Sequence, residues 1–298
     1  MIVKELKRRV RPRWVSDVRG CLVSRHRLAG LTRRFGLRPL SGNPLARVKK
    51  SDTLFILGSG DSINEIRAQE WSQISSADSL GFNGWYLHAF VPSVFVTEPG
   101  KDLDQLALEY ASIEKRYAGR DTPILIKDME RYRREEMASI LEVMPRRLHP
   151  RIALTWDWEL REDDPARFSA RLARLARLGI VTGAGYPVIR TRSSVFYLLV
   201  LALRAGYRRI VLCGIDLNGS EYFYEACRSS LEAEGYWVPP RRPLSATHKT
   251  EDPGFGPVTV SVALDALHAE VLHKLDISLY VAFRSSKLYS IFPAYFGR

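Results

Sequence analysis

The sequence predicts an α/β protein with a mostly parallel sheet, helices on both faces, and a basic helical arm in front. Three observations predict it. Short apolar runs bounded by turn residues alternate with helical periodicities from Thr53 to Ala282, which calls for crossover helices between parallel strands, a Rossmann-like arrangement. Polar residues gather where those runs end, at Gly58-Ser59-Gly60, Asn83-Gly84, Thr97-Glu98 and Gly214-Ile215-Asp216; an open α/β sheet binds its ligand outside the carboxyl ends of its strands. The excess positive charge is confined to one end. Residues 1–50 hold 15 Lys or Arg against Glu5 and Asp17, while the remainder hold 30 against 31 acidic residues.

With 298 residues and 46% apolar side chains the chain can bury a real core. Cys21, Cys213 and Cys227 form no CxxC pair and no ligand spacing with the six histidines, so neither a disulfide framework nor a structural zinc site is expected. No secretory h-region and no apolar run of about 18 residues is present, which predicts a cytoplasmic setting without a signal peptide or transmembrane span.

From Ile2 to Leu40, apolar residues including Leu6, Val10, Trp14, Val18, Leu22, Leu28, Leu31 and Phe35 recur among arginines, interrupted by Pro12 and Pro39. One or two short amphipathic helices are expected there rather than a single long one. A basic amphipathic segment with a Trp suits the anionic inner face of a membrane; an arm packed on its own domain and a nucleic-acid contact are the alternatives. Ser41 to Lys50 is turn-rich and reads as a linker.

Thr53 to Leu57 then reads as a buried strand feeding Gly58-Ser59-Gly60-Asp61-Ser62, with helical periodicity over Ile63 to Ile74. Strand, glycine turn and helix together bring backbone N–H groups up to a phosphate. Gly-x-Gly alone is weak, a tight turn explains it equally, and Asp61 is expected to cap the helix rather than meet a phosphate. Ser79 to Phe82, Ser93 to Val96, Pro123 to Lys127 and Arg151 to Leu154 read as further strands; Lys101 to Tyr117 and Glu130 to Val143 read as helices. Asp102 is expected to cap the first of these helices. Trp156-Asp157-Trp158 is a packing or acceptor-side feature. Asp164 to Gly179 is a helix with Asp164 as cap, Pro165 at its first position and Phe168, Leu172, Leu175 and Leu178 on one face.

Arg190 to Tyr224 is the most site-like stretch: a polar turn, a buried helix to about Ala205, a strand from Arg209 to Cys213, and a polar loop from Asp216. The loop at about 236–257, with Pro239, Pro240 and His248, is too long for a simple connection and reads as a lid or site wall. Val258 to Leu275 is a helix and Ser278 to Ala282 a final strand. The domains are thus expected as an arm and linker over 1–50 and a catalytic domain over 51–298.

No Walker loop, GxSxG elbow, HExxH or strand-end Asp-x-Asp pair occurs. Ser, Asn, Arg and Tyr donors remain, with one loop histidine. Gly58-Ser59-Gly60-Asp61-Ser62, Asn83, Arg190-x-x-Ser193, Gly214-Ile215-Asp216, Asn218-Gly219-Ser220-x-Tyr222, His248-Lys249 and Ser285-Ser286-Lys287-Leu288 stand in an order that resembles the bacterial sialyltransferases of glycosyltransferase family 42. The resemblance covers 53–292.

The resemblance implies a single-domain GT-A-like sialyltransferase fold. It also implies metal-independent, inverting transfer of sialic acid or a Kdo-like ulosonic acid from CMP to a capsule, lipopolysaccharide or other surface-glycan hydroxyl. No cofactor is implied beyond the CMP-sugar donor. By position, Gly58, Ser59, Gly60, Asn83, Glu98, Ser193, Asp216 and Asn218 would hold the donor, with Asp216 near cytidine or ribose. Tyr222 and Tyr224 would stabilise the leaving phosphate, His248 would deprotonate the acceptor, and Arg190 would support the donor carboxylate or the site loop. Glu98 stands where the family has Asn; it would repel an anionic donor unless it is paired or bonds a sugar hydroxyl, and favours an ulosonate other than N-acetylneuraminate, such as Kdo. Two other classes are weighed beside this one: an ATP- and magnesium-dependent, pterin pyrophosphokinase-like enzyme, and a non-enzymatic nucleic-acid or lipid-binding module. Oligomeric state is open.

Overall fold

The structure, a computed structural model, describes residues 13–38, 43–185, 187–191, 193–219, 221–241, 248–255 and 258–297. The arm before Arg13, Ser220 and the parts of the expected lid at 242–247 and 256–257 lie outside the described residues.

Arg13–Arg34 form one 22-residue helix, α1, where the sequence suggested one or two short ones. Pro12 precedes it and Pro39 follows its closing turn, positions at which proline breaks nothing. Its C-terminal half is docked: Leu28 and Leu31 are buried, Leu37 joins them, and the Arg25 guanidinium lies 5.2 Å from the Trp156 ring centroid. Arg38 N–H then donates to Ile152 O at 2.8 Å. The expected linker also contains structure. Pro44–Val48 form α2, capped by Asn43, whose amide donates to Leu201 O at 2.6 Å while its oxygen accepts from Leu45 N–H. Buried Leu45 makes that segment part of the core.

β1 is Thr53–Leu57. The helix expected from Ile63 is instead a 3-10 turn over Asp61–Glu65 followed by α3, Ala68–Ser76. Ile66 and Arg67 are extended between them, and Arg67 N–H is taken by Glu70 at 2.8 Å, which starts the new helix. Asp61 does not cap; its carboxylate accepts from Asn64 Nδ2 at 2.8 Å.

β2 (Asp78–Phe82), a 3-10 turn (Asn83–Leu87) and β3 (Val94–Thr97) follow. α4 (Leu103–Arg116) is capped by Asp102 as expected, and β4 spans Ile124–Ile126. The next helix is shortened to α5, Arg134–Glu142, behind a 3-10 turn at Met129–Arg131. β5 (Ile152–Leu154) and β6 (Asp157–Glu159) lead to α6 (Pro165–Arg177). Asp164 caps α6 and Phe168, Leu172 and Leu175 are buried, but Leu178 lies past the last turn and is 59% exposed. β7 (Val188–Arg190), α7 (Ser194–Arg204), β8 (Arg209–Cys213), α8 (Arg228–Ala233), α9 (Val260–Leu267) and β9 (Ser278–Val281) complete the order. α9 continues through a π turn at His268–Leu272.

Seven strands form one parallel sheet, ordered β5-β4-β3-β2-β1-β8-β9, beside a small parallel pair β6-β7. Alternate side chains of each strand face opposite layers. Leu54 and Ile56 pack with α2, α6, α7 and α9; Phe55 and Leu57 pack with α1, α3, α4, α5 and α8. The chain builds outward from β1 to β5, then returns to place β8 on the other side of β1. That reversal is the topological switch point, where α/β sheets hold ligands. The Val281 edge is also joined by Ala294 through a parallel bridge.

Candidate functional site

Across the switch point the two glycine turns meet without side chains between them. Gly58 N–H donates to Cys213 O and Gly60 N–H to Gly214 O, both at 2.8 Å. A Cβ on Gly58 would come within 2.5 Å of Gly214 O, and one on Gly60 within 2.8 Å of the same oxygen. Gly214 has φ +64, a conformation that favours glycine. The glycines therefore close a seam between β1 and β8. This corrects the expectation of an amide cradle for phosphate: the Gly58 and Gly60 N–H groups are spent on the chain itself.

What the turn presents instead is Ser59. Its Oγ is buried with no hydrogen-bond partner among the described residues. A Cβ built on Gly84 would lie 3.4 Å from that Oγ and 2.9 Å from Tyr224 Cε1, so Ser59, Gly84 and the Tyr224 ring enclose one small space. Leu57 is level with Gly81 and Phe82 with Val96; Ser59, Asn83 and Thr97 therefore leave the sheet side by side. Asn83 has φ +54, which Asn tolerates better than most residues.

The loop after β8 is strapped to the same turn. Tyr222 pairs with Gly60 in an antiparallel bridge, Phe223 N–H donates to Ser59 O at 3.0 Å, and Asn64 Nδ2 reaches Phe223 O at 3.2 Å. The rings of Tyr222 and Tyr224 stack with centroids 5.3 Å apart. Asp216 is buried; its Oδ1 accepts from the Ser62 hydroxyl at 2.5 Å and its Oδ2 from Ser62 N–H at 3.2 Å. Its carboxylate thus locks the glycine turn.

Asn218 and His248 join this loop from outside. Asn218 Nδ2 donates to Ser285 O at 3.3 Å, Ser286 Oγ donates to Ile215 O at 2.8 Å, and Lys287 N–H donates to Asp216 O at 2.9 Å. His248 N–H donates to Leu217 O at 3.3 Å. Its Nδ1 accepts from Thr250 N–H at 3.3 Å, with Thr250 Oγ1 at 2.7 Å. That arrangement puts the proton of the neutral ring on Nε2. A base acting through Nε2 must exchange tautomers and give up the cap on Thr250.

A second cluster occupies the ends of β3, β4 and β7. Glu98 is paired, with Lys127 Nζ at 2.6 Å and Arg131 Nη1 at 2.5 Å. Burial alone would raise its pKa, but these two cations outweigh burial and hold it down to about 2. Buried Lys127 also meets Asp128 at 3.0 Å, and Asp128 Oδ1 lies 2.7 Å from Arg190 Nε. Arg190 Nη1 is 3.5 Å from Glu159, and buried Asp157 accepts from Asp128 N–H at 2.8 Å. Trp158 lies under Arg171 and Trp156 under Arg25, so Trp156-Asp157-Trp158 is a packing element. Lys127 and Asp128 carry no motif in the sequence, although they too follow directly on a strand.

Beside this cluster starts α7. Ser193 stands at its N-cap but makes no capping bond. The Ser193 and Thr191 hydroxyls are both buried without partners among the described residues. Helix N-termini carry orphan N–H groups and partial positive charge, which suits an anion. Unpartnered buried hydroxyls call for a ligand or water.

Among the described residues no three His, Cys, Asp or Glu side chains are grouped to hold a metal ion, and no helix is long and apolar enough to cross a membrane. No family model matches the chain, and no curated protein sequence matches it. Among solved structures, the chain is similar to the monofunctional α-2,3-sialyltransferase Cst-I from Campylobacter jejuni. That match has 16% sequence identity, covers 83% of this chain and 81% of that one, and has a TM-score of 0.46.

Proposed function

We propose that the chain is a CMP-sugar-dependent glycosyltransferase, moving sialic acid or a Kdo-like ulosonic acid onto a hydroxyl of a surface glycan or glycolipid. One observation carries the reading. Buried hydroxyls without partners stand at two points of the carboxyl edge of the sheets, Ser59 after β1 and Thr191 with Ser193 before α7, and a donor with a nucleotide and an acid group would occupy both. The nucleotide lies along Ser59 and Asn83. The acid group meets the α7 N-terminus, with Arg190 holding that turn through Asp128 and Glu159.

In the transfer, the acceptor oxygen bonds to the anomeric carbon from the face opposite CMP. The bond from that carbon to the phosphate oxygen breaks, inverting the centre. The acceptor's proton passes to His248, whose imidazole suits proton transfer near neutral pH. Negative charge grows on the departing CMP, and the Tyr222 and Tyr224 hydroxyls stabilise it without a metal ion. Asp216 contributes through Ser62, keeping the glycine turn in place. Exposed arginines on α1, including Arg25, Arg27 and Arg33, suit an anionic inner-membrane surface.

A thermal-shift panel of CMP, UDP, GDP and ATP, with and without magnesium and EDTA, tests this. Stabilisation by CMP alone, insensitive to EDTA, is expected, followed by CMP release from CMP-Kdo or CMP-sialic acid. A shift seen only with ATP and magnesium would replace this reading with a pyrophosphokinase-like one.

A further inference from the structure

Glu109 has no role in the chemistry above, yet its position is unusual. It lies on α4 facing the sheet, and its Oε1 accepts from the Thr97 hydroxyl at 3.3 Å. Long helical side chains lean toward the helix N-terminus, which here carries the carboxyl toward the end of β3. Thr97 is third in the row that begins with Ser59 and Asn83.

Glu109 makes no ion pair and no other hydrogen bond among the described residues. Burial pushes its carboxyl up to about 7, with the Thr97 bond working weakly the other way. It stays half-buried, within reach of solvent. Buried Tyr86 belongs to the same layer as α4 and Tyr224. The Tyr86 hydroxyl itself is committed to Trp237 O at 3.0 Å, so it leaves the carboxylate unsatisfied. Two further carboxylates near the row are committed: both Asp216 oxygens to Ser62, and Glu98 to Lys127 and Arg131.

Above about pH 7, where Glu109 is ionised, a carboxylate with open acceptor positions and no cation is suited to two neighbouring hydroxyl donors, because O–H bonds to an ionised acceptor are short and strong. We propose that Glu109, oriented by Thr97, binds the vicinal hydroxyls of the donor nucleotide's ribose. This rests on the nucleotide-donor reading, but the base plays no part in it.

The test is calorimetric titration of the full chain with ribonucleotide and 2′-deoxyribonucleotide pairs: CMP, UMP and AMP against their deoxy forms. Native protein should prefer the ribo form by about tenfold or more, the scale of one charge-assisted hydrogen bond. Glu109→Gln, close in shape and uncharged, should lose that preference and weaken ribonucleotide binding. Thr97→Val should do the same to a smaller degree. With CMP-sugar, Glu109→Gln should raise KM far more than it lowers kcat.

An unchanged ribo-to-deoxy ratio in Glu109→Gln overturns the proposal while leaving the CMP reading intact. A Glu109-dependent preference seen with UMP or AMP but not CMP keeps the proposal and removes the CMP donor. No ribonucleotide binding, or no ribo preference in native protein, overturns it outright.

Discussion

Arg190 Nε lies 2.7 Å from Asp128 Oδ1, with side chains 13% and 6% exposed. That contact joins the end of β7 to the end of β4, so the turn before α7 is held by charge. Arg190→Ala removes one cation from buried Asp128, which keeps Lys127 at 3.0 Å, and should cost about 1.5–3 kcal/mol, read as a lower urea midpoint. Arg190→Lys keeps the charge but loses the forked reach to Asp128 and Glu159, and should recover only part. Full stability in Arg190→Ala would mean that the pair does not hold the turn.

Gly60→Ala drives a methyl group into the Asp216 carboxylate, which is held by Ser62, and places it 2.8 Å from Gly214 O, so there is little room to yield. A loss of about 1–3 kcal/mol and of CMP binding is expected. Gly30→Ala is the contrast: a Cβ there meets nothing within 4 Å, and helix propensity predicts a gain of about 0.5–1 kcal/mol. Equal effects at the two positions would show that the seam is not tightly packed.

His248→Ala should lower turnover by about 10² or more and leave the CMP thermal shift unchanged, because its proposed role concerns the acceptor and not the nucleotide. His248→Asn can restore the cap on Thr250 without restoring a base, so it should stay inactive. Recovery in the Asn variant would reduce His248 to its capping role.

Ser193→Ala and Thr191→Val remove the two unpartnered hydroxyls at the α7 N-terminus. Each should raise the KM for the CMP-sugar by about tenfold or more while scarcely changing affinity for CMP, which lacks the acid group; a hydrogen bond to an ionised group is worth about 1.5–3 kcal/mol. Equal losses for CMP and CMP-sugar would move that anion site to the phosphate.

Two half-buried groups set opposite pH limits on stability. His88 packs on both Trp71 and Trp85, at 5.0 and 4.6 Å, and burial, aided by Arg116, lowers its pKa from 6.5 to about 4. The fold prefers the neutral ring, so stability present above pH 6.5 is lost as pH falls toward 4. Glu109 is raised from 4.5 to about 7, so stability present below pH 4.5 is lost as pH rises toward 7. Each is on the order of 2 kcal/mol, at about 1.4 kcal/mol per pKa unit with partial solvent screening. Urea unfolding across this range should find His88→Asn flatter on the acid limb and Glu109→Gln flatter on the alkaline one. Unchanged limbs would remove these groups as their cause.

The parallel sheet was legible because TLFIL and RIVLC are short, apolar and bounded by turns, a pattern that needs no tertiary knowledge. Local chemistry likewise sufficed for the Asp102 and Asp164 caps. Helix continuity through Ile66 was misread because periodicity does not register two extended residues. The glycine turn was misread more instructively: glycine spacing looks the same whether the close neighbour is a phosphate or a second strand. Pairing of Glu98 with Lys127, and of Arg190 with Asp128, joins residues distant in sequence. Such partners emerge only once the strand order is known.

The backbone contacts at Arg38 and Ala294 have a colloidal consequence. Each lies against an outermost strand of the seven, Arg38 on β5 and Ala294 on β9, occupying part of the N–H and C=O row that a bare edge offers to another molecule. The Ala294 side is reinforced by Tyr295 N–H on Val281 O at 2.8 Å and Phe296 N–H on Ala282 O at 3.2 Å. Fragments trimmed past Arg38 or before Pro293 would keep the switch point and still open a strand to sheet extension. Their failure would be self-association rather than lost chemistry, visible as light scattering before any fall in activity per folded molecule.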